Sequence, residues 1–178
     1  MDELTAGIFD IENAEELMDE IMNTYGQEIL QLAFSYVKNK EIADDLTQEI
    51  FVKCYKSLHT YQGKAKFRTW LWRIASNHCR DYLKSWYNRN VFTTDYQPIY
   101  DSLQTGSVEQ TVIQDEEDGQ LAAAVMELPV NYREVIYLYY FEEMSIKEIA
   151  VVTEVKENTV KTRMRRAKEL LKERLEAN

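Results

Sequence analysis

The chain of 178 residues contains only two cysteines, Cys54 and Cys79, which are too few for a disulfide framework. Five glycines and two prolines leave little room for the many turns of a loop-rich β-sandwich. No apolar run approaches the roughly 18–20 residues that a membrane-spanning helix needs. The acidic start, residues 1–20, lacks the basic residues and the apolar stretch of a signal peptide. We therefore expect a cytoplasmic protein with reduced thiols and no insertion into a membrane.

Charge is distributed unevenly along the chain. The 31 acidic and 21 basic side chains give a net charge of -10, which by itself disfavours binding to nucleic acid. The acidic side chains fall mainly in residues 1–49 and 95–155, each of which carries a net -11. Residues 53–89 carry a net +8 and residues 156–174 a net +5. This segregation favours two polyanion-binding surfaces, although two solvated helix faces are the alternative interpretation.

Apolar residues recur with helical spacing through most of the chain, and strand-like alternation is weak. Asn13 and Glu16 have the spacing of a capping box at the start of the first helix. The predicted helices run from Asn13 to about Tyr36, then over about 40–58, 67–86, 116–127, 132–141, 145–152 and 157–177. The sequence therefore predicts an all-α fold.

Residues 87–115 show no sustained period and contain turn and linker chemistry such as Gln97-Pro98. A structureless stretch of 29 residues is unusual inside a compact domain, so we interpret it as a flexible connection. Fully extended, such a connection reaches on the order of 100 Å. We predict two small helical domains, 13–86 and 116–178, preceded by an acidic extension, 1–12.

A short helix, a turn and a longer basic helix follow one another near the C-terminus. Ser145 and Glu148 have the spacing of a capping box, and residues 153–156 form the turn. The longer helix has an apolar stripe at Val160, Met164, Ala167 and Leu171, which we expect to pack back on the short helix. The opposite side carries Lys161, Thr162, Arg165 and Arg166, flanked by Arg163 and Lys168. This pattern predicts a DNA-binding helix-turn-helix, with a helical hairpin that has a solvated basic face as the alternative.

Aromatic and cationic residues are interleaved between positions 61 and 83. The aromatics are Tyr61, Phe67, Trp70 and Trp72, and the cations are Lys64, Lys66, Arg68, Arg73 and Arg80. Stacking of an unpaired base on an aromatic ring contributes roughly 1–3 kcal/mol, so this composition is typical of proteins that hold opened bases. Trp70 and Trp72 cannot face the same side of a helix. We expect Trp70 in the core beside Ile74 and Trp72 nearer the surface.

One edge of the second predicted helix carries Asp45, Gln48 and Glu49 beside Phe51. An acidic and polar stripe around one aromatic side chain is compatible with a protein-docking face, and also with plain solvated surface.

These motifs resemble those of bacterial RNA polymerase sigma factors of the extracytoplasmic-function group, in the sigma-70 family. The resemblance covers about residues 14–86 and 116–175 and rests on four stretches: DDLTQEIFVKCY, FRTWLWRIASNHCRDYL, LPVNYREVIYLYYFEEMSIKEIA and NTVKTRMRRAKELL. It implies a region 2-like and a region 4-like helical domain without catalytic activity. It also implies binding to core RNA polymerase, recognition of promoters and assistance in opening the -10 element. Inhibition by an anti-sigma protein is frequent among relatives.

The resemblance also implies a role for individual residues. The polymerase-docking positions are Asp45, Gln48, Glu49 and Phe51. The -10 positions are Tyr61, Lys64, Lys66, Phe67, Arg68, Trp72, Arg73, Asn77 and Arg80. The -35 positions are Lys161, Thr162, Arg163, Arg165, Arg166 and Lys168. Glu154 and Glu157 depart from the pattern, because small or neutral residues are common at these places and a carboxylate there repels phosphate.

Two other function classes compete with this interpretation. A stand-alone helix-turn-helix transcriptional regulator explains the C-terminal motif and leaves the cation–aromatic cluster unexplained. A metal-dependent helical enzyme would have to use the only histidines and cysteines, which are His59, His78, Cys54 and Cys79. Their spacing matches no Cys-x-x-Cys or His-x-x-x-His pairing, and the chain lacks a phosphate-binding glycine loop. We therefore expect no metal, no cofactor and no catalysis.

Overall fold

The computed structural model describes residues 14–91 and 116–176, and every regular element in those two ranges is helical. The first range contains α1 (Ala14–Val37), α2 (Lys40–Ser57), a 3-10 turn (Leu58–Thr60) and α3 (Phe67–Val91). The second contains α4 (Glu116–Met126), α5 (Val130–Tyr140), α6 (Ile146–Thr153) and α7 (Glu157–Glu176). The chain divides into two compact units, with the division after Asn88. The predicted all-α class is confirmed. None of the described helices is both long and apolar enough to cross a membrane.

A tight reversal joins α1 to α2 in the first unit. Lys38 adopts the left-handed conformation at φ 55°, and its N–H donates to the carbonyl of Phe34 over 2.8 Å. Asn39 then begins α2, because its side-chain oxygen accepts from the N–H of Ile42 at 3.0 Å. The two helices pack side by side as an antiparallel hairpin.

The core of the first unit consists of apolar side chains from all three helices. Its fully buried members include Ile21, Ile29, Ile50, Cys54, Leu71, Trp72, Ala75 and Cys79. Trp72 is completely buried, and Tyr25 meets its ring edge-on at a centroid distance of 5.6 Å. Trp70 is only half-buried. The prediction that Trp70 is the core residue and Trp72 the surface residue is therefore wrong, because the buried row of α3 runs through Leu71, Trp72 and Ala75.

A buried arginine on α5 connects this helix to the end of α4. The guanidinium of Arg133 donates to the carbonyls of Met126 and Leu128, at 2.7 and 3.1 Å, and so satisfies groups that the end of α4 leaves without helical partners. At the same turn, Arg174 of α7 forms an ion pair of 2.7 Å with Glu127. Arg133 therefore joins α5 to the end of α4, and Arg174 joins α7 to the α4–α5 turn.

Two helix ends differ from the sequence expectation. The third helix continues to Val91, past the expected end near Trp86, because residues 87–91 contain neither glycine nor proline to stop it. The fifth helix begins at Val130, directly after Pro129, and not at Tyr132. The capping box expected at Asn13 lies outside the described residues, as do residues 92–115 of the expected connection.

Candidate nucleic-acid and protein interfaces

The C-terminal motif has the geometry of a helix-turn-helix. Ser145 caps α6 in a full capping box: its hydroxyl accepts from the N–H of Glu148, whose carboxylate accepts from the N–H of Ser145. Helix α6 ends at Thr153, the following residue Glu154 is left-handed at φ 56°, and α7 begins at Glu157. The three residues between the helices make the turn compact. The predicted helix-turn-helix is confirmed.

Helix α7 has one buried and one exposed side. Val160 and Ala167 are fully buried and Met164 nearly so, and these side chains hold the helix against the rest of the unit. The predicted -35 residues lie on the remaining surface: Lys161, Thr162, Arg165, Arg166 and Lys168 are exposed, and Arg163 is half-buried. The fold thus brings this whole predicted set together on one helix. Cationic and hydroxyl side chains on an exposed helix suit contacts with phosphates and with base edges.

Several side chains on this surface have partners within the chain. The guanidinium of Arg166 lies 3.0 Å from the carboxylate of Glu169 and 3.9 Å from that of Glu173. The hydrogen bond to Glu169 raises the pKa of Arg166. The ammonium of Lys168 lies 5.7 Å from the ring centre of Tyr140, a cation–π distance.

The two departures from the family pattern both lie at the turn. Glu154 and Glu157 are exposed. Glu157 lies in the first turn of α7, where a carboxylate interacts favourably with the helix dipole. Glu154 occupies a left-handed position that favours glycine.

The aromatic residues of the predicted -10 site form a cluster beneath the surface. Tyr61 and Phe67 are buried and meet edge-on at 5.5 Å, and each lies 5.4 Å from the ring of Trp70. The hydroxyl of Tyr61 donates to the carbonyl of Ala65 at 2.7 Å. In this structure the buried rings are not presented to an unpaired base, and Trp70 offers the partly exposed ring. Their contacts shape the loop over residues 62–66, whose reversal uses Gly63 at φ 69°.

The predicted -10 cations divide into two groups. Lys64, Lys66 and Arg73 are exposed, whereas Arg68 and Arg80 are half-buried, as is the neutral Asn77. Arg68 forms an ion pair of 3.3 Å with Glu28 of α1, and its guanidinium lies 4.4 Å from the ring centre of Trp72. Arg80 donates to the side-chain oxygen of Asn77. Arg68 therefore joins α1 to α3, and the exposed cations lie on the loop and the outer side of α3.

Three of the four predicted polymerase-docking residues are exposed on α2, and the fourth is buried. Asp45, Gln48 and Glu49 are exposed, whereas Phe51 is 5% exposed and belongs to the core. Phe51 points inward because it lies about one turn before the buried Cys54 and two turns before the buried Leu58. The interpretation that Phe51 supplies an exposed aromatic centre is therefore wrong.

Two apolar residues that the sequence analysis missed are exposed on the same helix. Val52 is 52% and Tyr55 48% exposed. They follow Gln48 by four and seven residues, so a helical wheel would have placed them on the face of Gln48. We name Asp45, Gln48, Glu49, Val52 and Tyr55 the α2 face.

A second exposed apolar surface lies at the end of α5 and was also missed. Tyr139, Tyr140 and Phe141 are 39%, 53% and 60% exposed, and the rings of Tyr139 and Tyr140 meet edge-on at 4.9 Å. The helical period alone did not separate these residues from the core, because they follow an uninterrupted apolar run from Val135. Contiguous exposed aromatics are typical of protein-binding surfaces.

The residues of the metal-site alternative do not come together in the part of the chain that the structure describes. No group of three or more histidine, cysteine, aspartate or glutamate side chains there has the geometry of a metal site. Cys54 and Cys79 are buried, and burial raises the pKa of the Cys54 thiol to about 12. A thiol with so high a pKa is a poor nucleophile and a poor metal ligand at neutral pH.

Comparison with known proteins gives matches over both units. The model of sigma-70 region 2 matches residues 12–88, and the model of sigma-70 region 4 matches residues 118–171. The chain is 32% identical to ECF RNA polymerase sigma factor SigM of Bacillus subtilis (strain 168), over 87% of this chain and 93% of the relative. It is 30% identical to ECF RNA polymerase sigma factor SigW of the same organism, over 90% of each chain.

Solved structures share the fold. The structure of CnrH in complex with the cytosolic domain of CnrY superposes with a TM-score of 0.68 at 24% identity, covering 98% of this chain and 96% of that one. The sigma factor RpoE of Bartonella quintana, crystallised with the anti-sigma factor NepR, also gives a TM-score of 0.68. Its identity is 20%, and the match covers 90% of this chain and 97% of that one. The helix-turn-helix, the two family matches and the full-length relatives agree. The chain belongs to the extracytoplasmic-function group of the sigma-70 family, and it directs promoter-specific initiation of transcription by RNA polymerase.

Proposed function

We propose a division of this activity among three surfaces of the chain. The α2 face docks on core RNA polymerase. The exposed cations Lys64, Lys66 and Arg73, with Trp70, hold the opened -10 element. The exposed side of α7 reads the duplex of the -35 element. The chain itself performs no catalysis in this proposal, and it acts in the cytoplasm, where polymerase and promoter DNA meet.

The segregation of α7 into a buried apolar side and an exposed cationic side is the observation that carries the proposal. Val160 and Ala167 anchor the helix, and Lys161 and Arg165 project from its opposite side. In a helix-turn-helix this second helix enters the major groove, where lysine and arginine reach guanine acceptors and phosphates.

The loop before α3 and the start of that helix support the -10 assignment. Lys64 and Lys66 lie on a loop whose shape depends on the buried rings of Tyr61 and Phe67. Exposed cations beside a half-buried indole suit a single strand, because the cations follow the backbone while the ring stacks on a base. Buried rings that hold the loop in place would keep these groups at a constant spacing.

The support for polymerase docking comes from the composition of the α2 face. Val52 and Tyr55 provide an apolar patch, and Asp45, Gln48 and Glu49 surround it with acidic and polar groups. An apolar centre with a polar rim is the usual anatomy of a protein–protein interface. The acidic rim would also repel DNA, which keeps this face for a protein partner.

The net charge of -10 should make the free chain a poor DNA-binding protein, because its acidic blocks repel phosphate within a Debye length of about 8–10 Å. Docking on polymerase would cover part of the acidic surface and present both cationic surfaces together. An anti-sigma protein that covers the exposed apolar residues of α2 or of α5 would prevent this docking. The complexes of CnrH with CnrY and of RpoE with NepR make such a partner a reasonable proposal for this chain.

Reconstitution with core polymerase tests the proposal. The holoenzyme is used to select promoters from a pool of templates, and run-off transcription is then measured with the wild type and with surface variants. We expect the pair of substitutions Lys161→Glu and Arg165→Glu to abolish promoter-dependent transcripts while leaving polymerase binding intact. Lys172→Glu, a charge reversal nearer the end of the same helix, is the matched control and should retain transcription. Tight and sequence-specific binding by the free chain would contradict the proposal.

A further inference from the structure

Arg166, one of the predicted -35 residues, has two acidic partners on its own helix. Its Nη1 lies 3.0 Å from Oε2 of Glu169 and 3.9 Å from Oε1 of Glu173, one and two turns further along. The side chains of Arg166 and Glu169 are each 49% exposed. The pair therefore lies on the surface that we assign to the -35 element, within reach of DNA.

The geometry of the guanidinium determines which contacts remain available. Arginine carries five N–H donors in a planar fork, and Glu169 accepts from Nη1. The opposite edge, formed by Nε and Nη2, carries two parallel N–H groups that match the paired acceptors O6 and N7 of guanine. Arg166 can therefore contact a guanine through this edge without leaving Glu169.

Contacts with phosphate are affected differently. A phosphate attracts the guanidinium from any side. The nearby Glu169 carboxylate repels the phosphate, because both groups are negatively charged. Binding to a random duplex, which depends on phosphate contacts, is thus weakened by Glu169. Contact with guanine at a matching site is not weakened in this way, because the carboxylate of Glu169 holds Arg166 with its Nε and Nη2 edge available to the base.

We propose that Glu169 is a specificity-determining residue of the -35 interface: it positions Arg166 for a guanine edge and disfavours its use as a general phosphate contact. This inference rests on the proposed role of α7. Glu173 assists at its longer distance of 3.9 Å.

The chain offers a matched control on the same helix. Lys172 and Glu176 form an ion pair of 3.6 Å at i,i+4, which is also exposed and does not include Arg166. Glu169→Gln and Glu176→Gln each remove one negative charge from α7. Only the first substitution removes the negative charge that lies 3.0 Å from Arg166.

The experiment uses holoenzyme assembled from the full chain and core polymerase. Dissociation constants are measured over a range of salt concentrations for the -35 duplex that the wild-type holoenzyme selects and for a scrambled duplex of equal length. We expect Glu169→Gln to lower the dissociation constant for the scrambled duplex about two- to fivefold, which corresponds to the free energy of an exposed ion pair. The dissociation constant for the selected duplex should fall by a smaller factor. For the scrambled duplex, the dependence of the binding constant on salt concentration should correspond to the release of about one more counterion, because Arg166 then contacts a phosphate.

Three further measurements decide the outcome. The quantity compared is the ratio of the dissociation constant for the scrambled duplex to that for the selected duplex. Glu176→Gln should leave this ratio at the wild-type value, and Glu169→Gln should have no effect on it in an Arg166→Gln background. Arg166→Lys should lower the ratio, because an ammonium lacks the paired edge. Equal ratios for Glu169→Gln and Glu176→Gln would overturn the inference while leaving the proposed function intact. A wild-type holoenzyme that fails to discriminate between the duplexes would overturn both.

Discussion

The Nε2 of His78 donates a hydrogen bond of 2.6 Å to Oε2 of Glu49, and this bond joins α3 to the α2 face. His78 is mostly buried, whereas the Glu49 carboxylate is exposed at the surface that we assign to polymerase docking. The residue before His78 is Asn77, one of the predicted -10 positions. A side chain from the helix that carries the proposed -10 positions thus orients a carboxylate on the helix that we propose docks on polymerase.

Replacing His78 should weaken polymerase binding without unfolding the chain. We expect His78→Ala to reduce affinity for core polymerase about two- to fivefold, because the Glu49 side chain loses the partner that orders it. Competition binding against the wild-type chain measures the effect. His59→Ala, a change at an exposed histidine on the 3-10 turn, is the control. Equal affinities for the two variants would contradict a positioning role for His78.

A charge placed in the apolar part of the α2 face should be more damaging. We expect Val52→Asp to weaken polymerase binding at least about tenfold, because a buried interface centre tolerates an unpaired carboxylate poorly. Val151→Asp provides a matched control, since Val151 is an exposed valine on α6, outside the α2 face. Thermal unfolding of both variants should resemble that of the wild type. A normal affinity of Val52→Asp for core polymerase would remove this residue from the docking face.

The two tryptophans of α3 should respond differently to truncation. Trp72→Ala removes a fully buried indole and should lower the free energy of unfolding by about 3–5 kcal/mol. Trp70→Ala removes a half-buried ring and should cost less stability while reducing the opening of the -10 element. Urea unfolding gives the first quantity, and permanganate footprinting of promoter complexes the second. If Trp70→Ala proved the more destabilising change, the burial pattern would be contradicted.

Burial of Cys54 should be visible in its chemistry and in the pH dependence of stability. Because burial raises the pKa of Cys54 to about 12, the folded chain retains the thiol proton at pH values where the unfolded chain has lost it. Stability is unaffected by this group below the ordinary thiol pKa of 9.0 and should fall as the pH rises from there towards 12.

Two measurements check this behaviour of Cys54. Native protein at pH 8 should resist alkylation by iodoacetamide at this position, and urea-unfolded protein should react quickly, as followed by peptide mass spectrometry. Cys54→Ala should flatten the alkaline limb of the stability profile. Rapid alkylation of the native thiol would contradict the assigned burial.

The turn of the helix-turn-helix should become more stable when Glu154 is replaced by glycine. Glu154 is left-handed at φ 56°, a conformation that costs a residue with a Cβ roughly 1–2 kcal/mol. Part of the gain is offset by the greater freedom of glycine in the unfolded chain, so we expect Glu154→Gly to add up to about 1 kcal/mol. Chemical denaturation measures the change. Glu143→Gly, at another exposed left-handed position, should behave alike, and destabilisation of both variants would contradict the argument.

The sequence by itself determined the helical elements and the cationic side of α7. Apolar spacing located each described helix to within a few residues, and the capping box at Ser145 predicted the start of α6. The stripe of Val160, Met164 and Ala167 was sufficient to orient α7, because an amphipathic helix on a small unit has only one side that it can bury.

Tertiary structure decided the positions where several apolar side chains compete for the same interior. Periodicity could not choose between Trp70 and Trp72, and it did not predict that Phe51 is buried while Val52 and Tyr55 are exposed. These outcomes depend on which neighbouring helix covers each side chain. The bond between Glu49 and His78 likewise joins residues 29 positions apart, so only the packing of α2 against α3 brings them together. Local chemistry sets the period of a helix, whereas the shape of the shared core selects which of its borderline residues face inward.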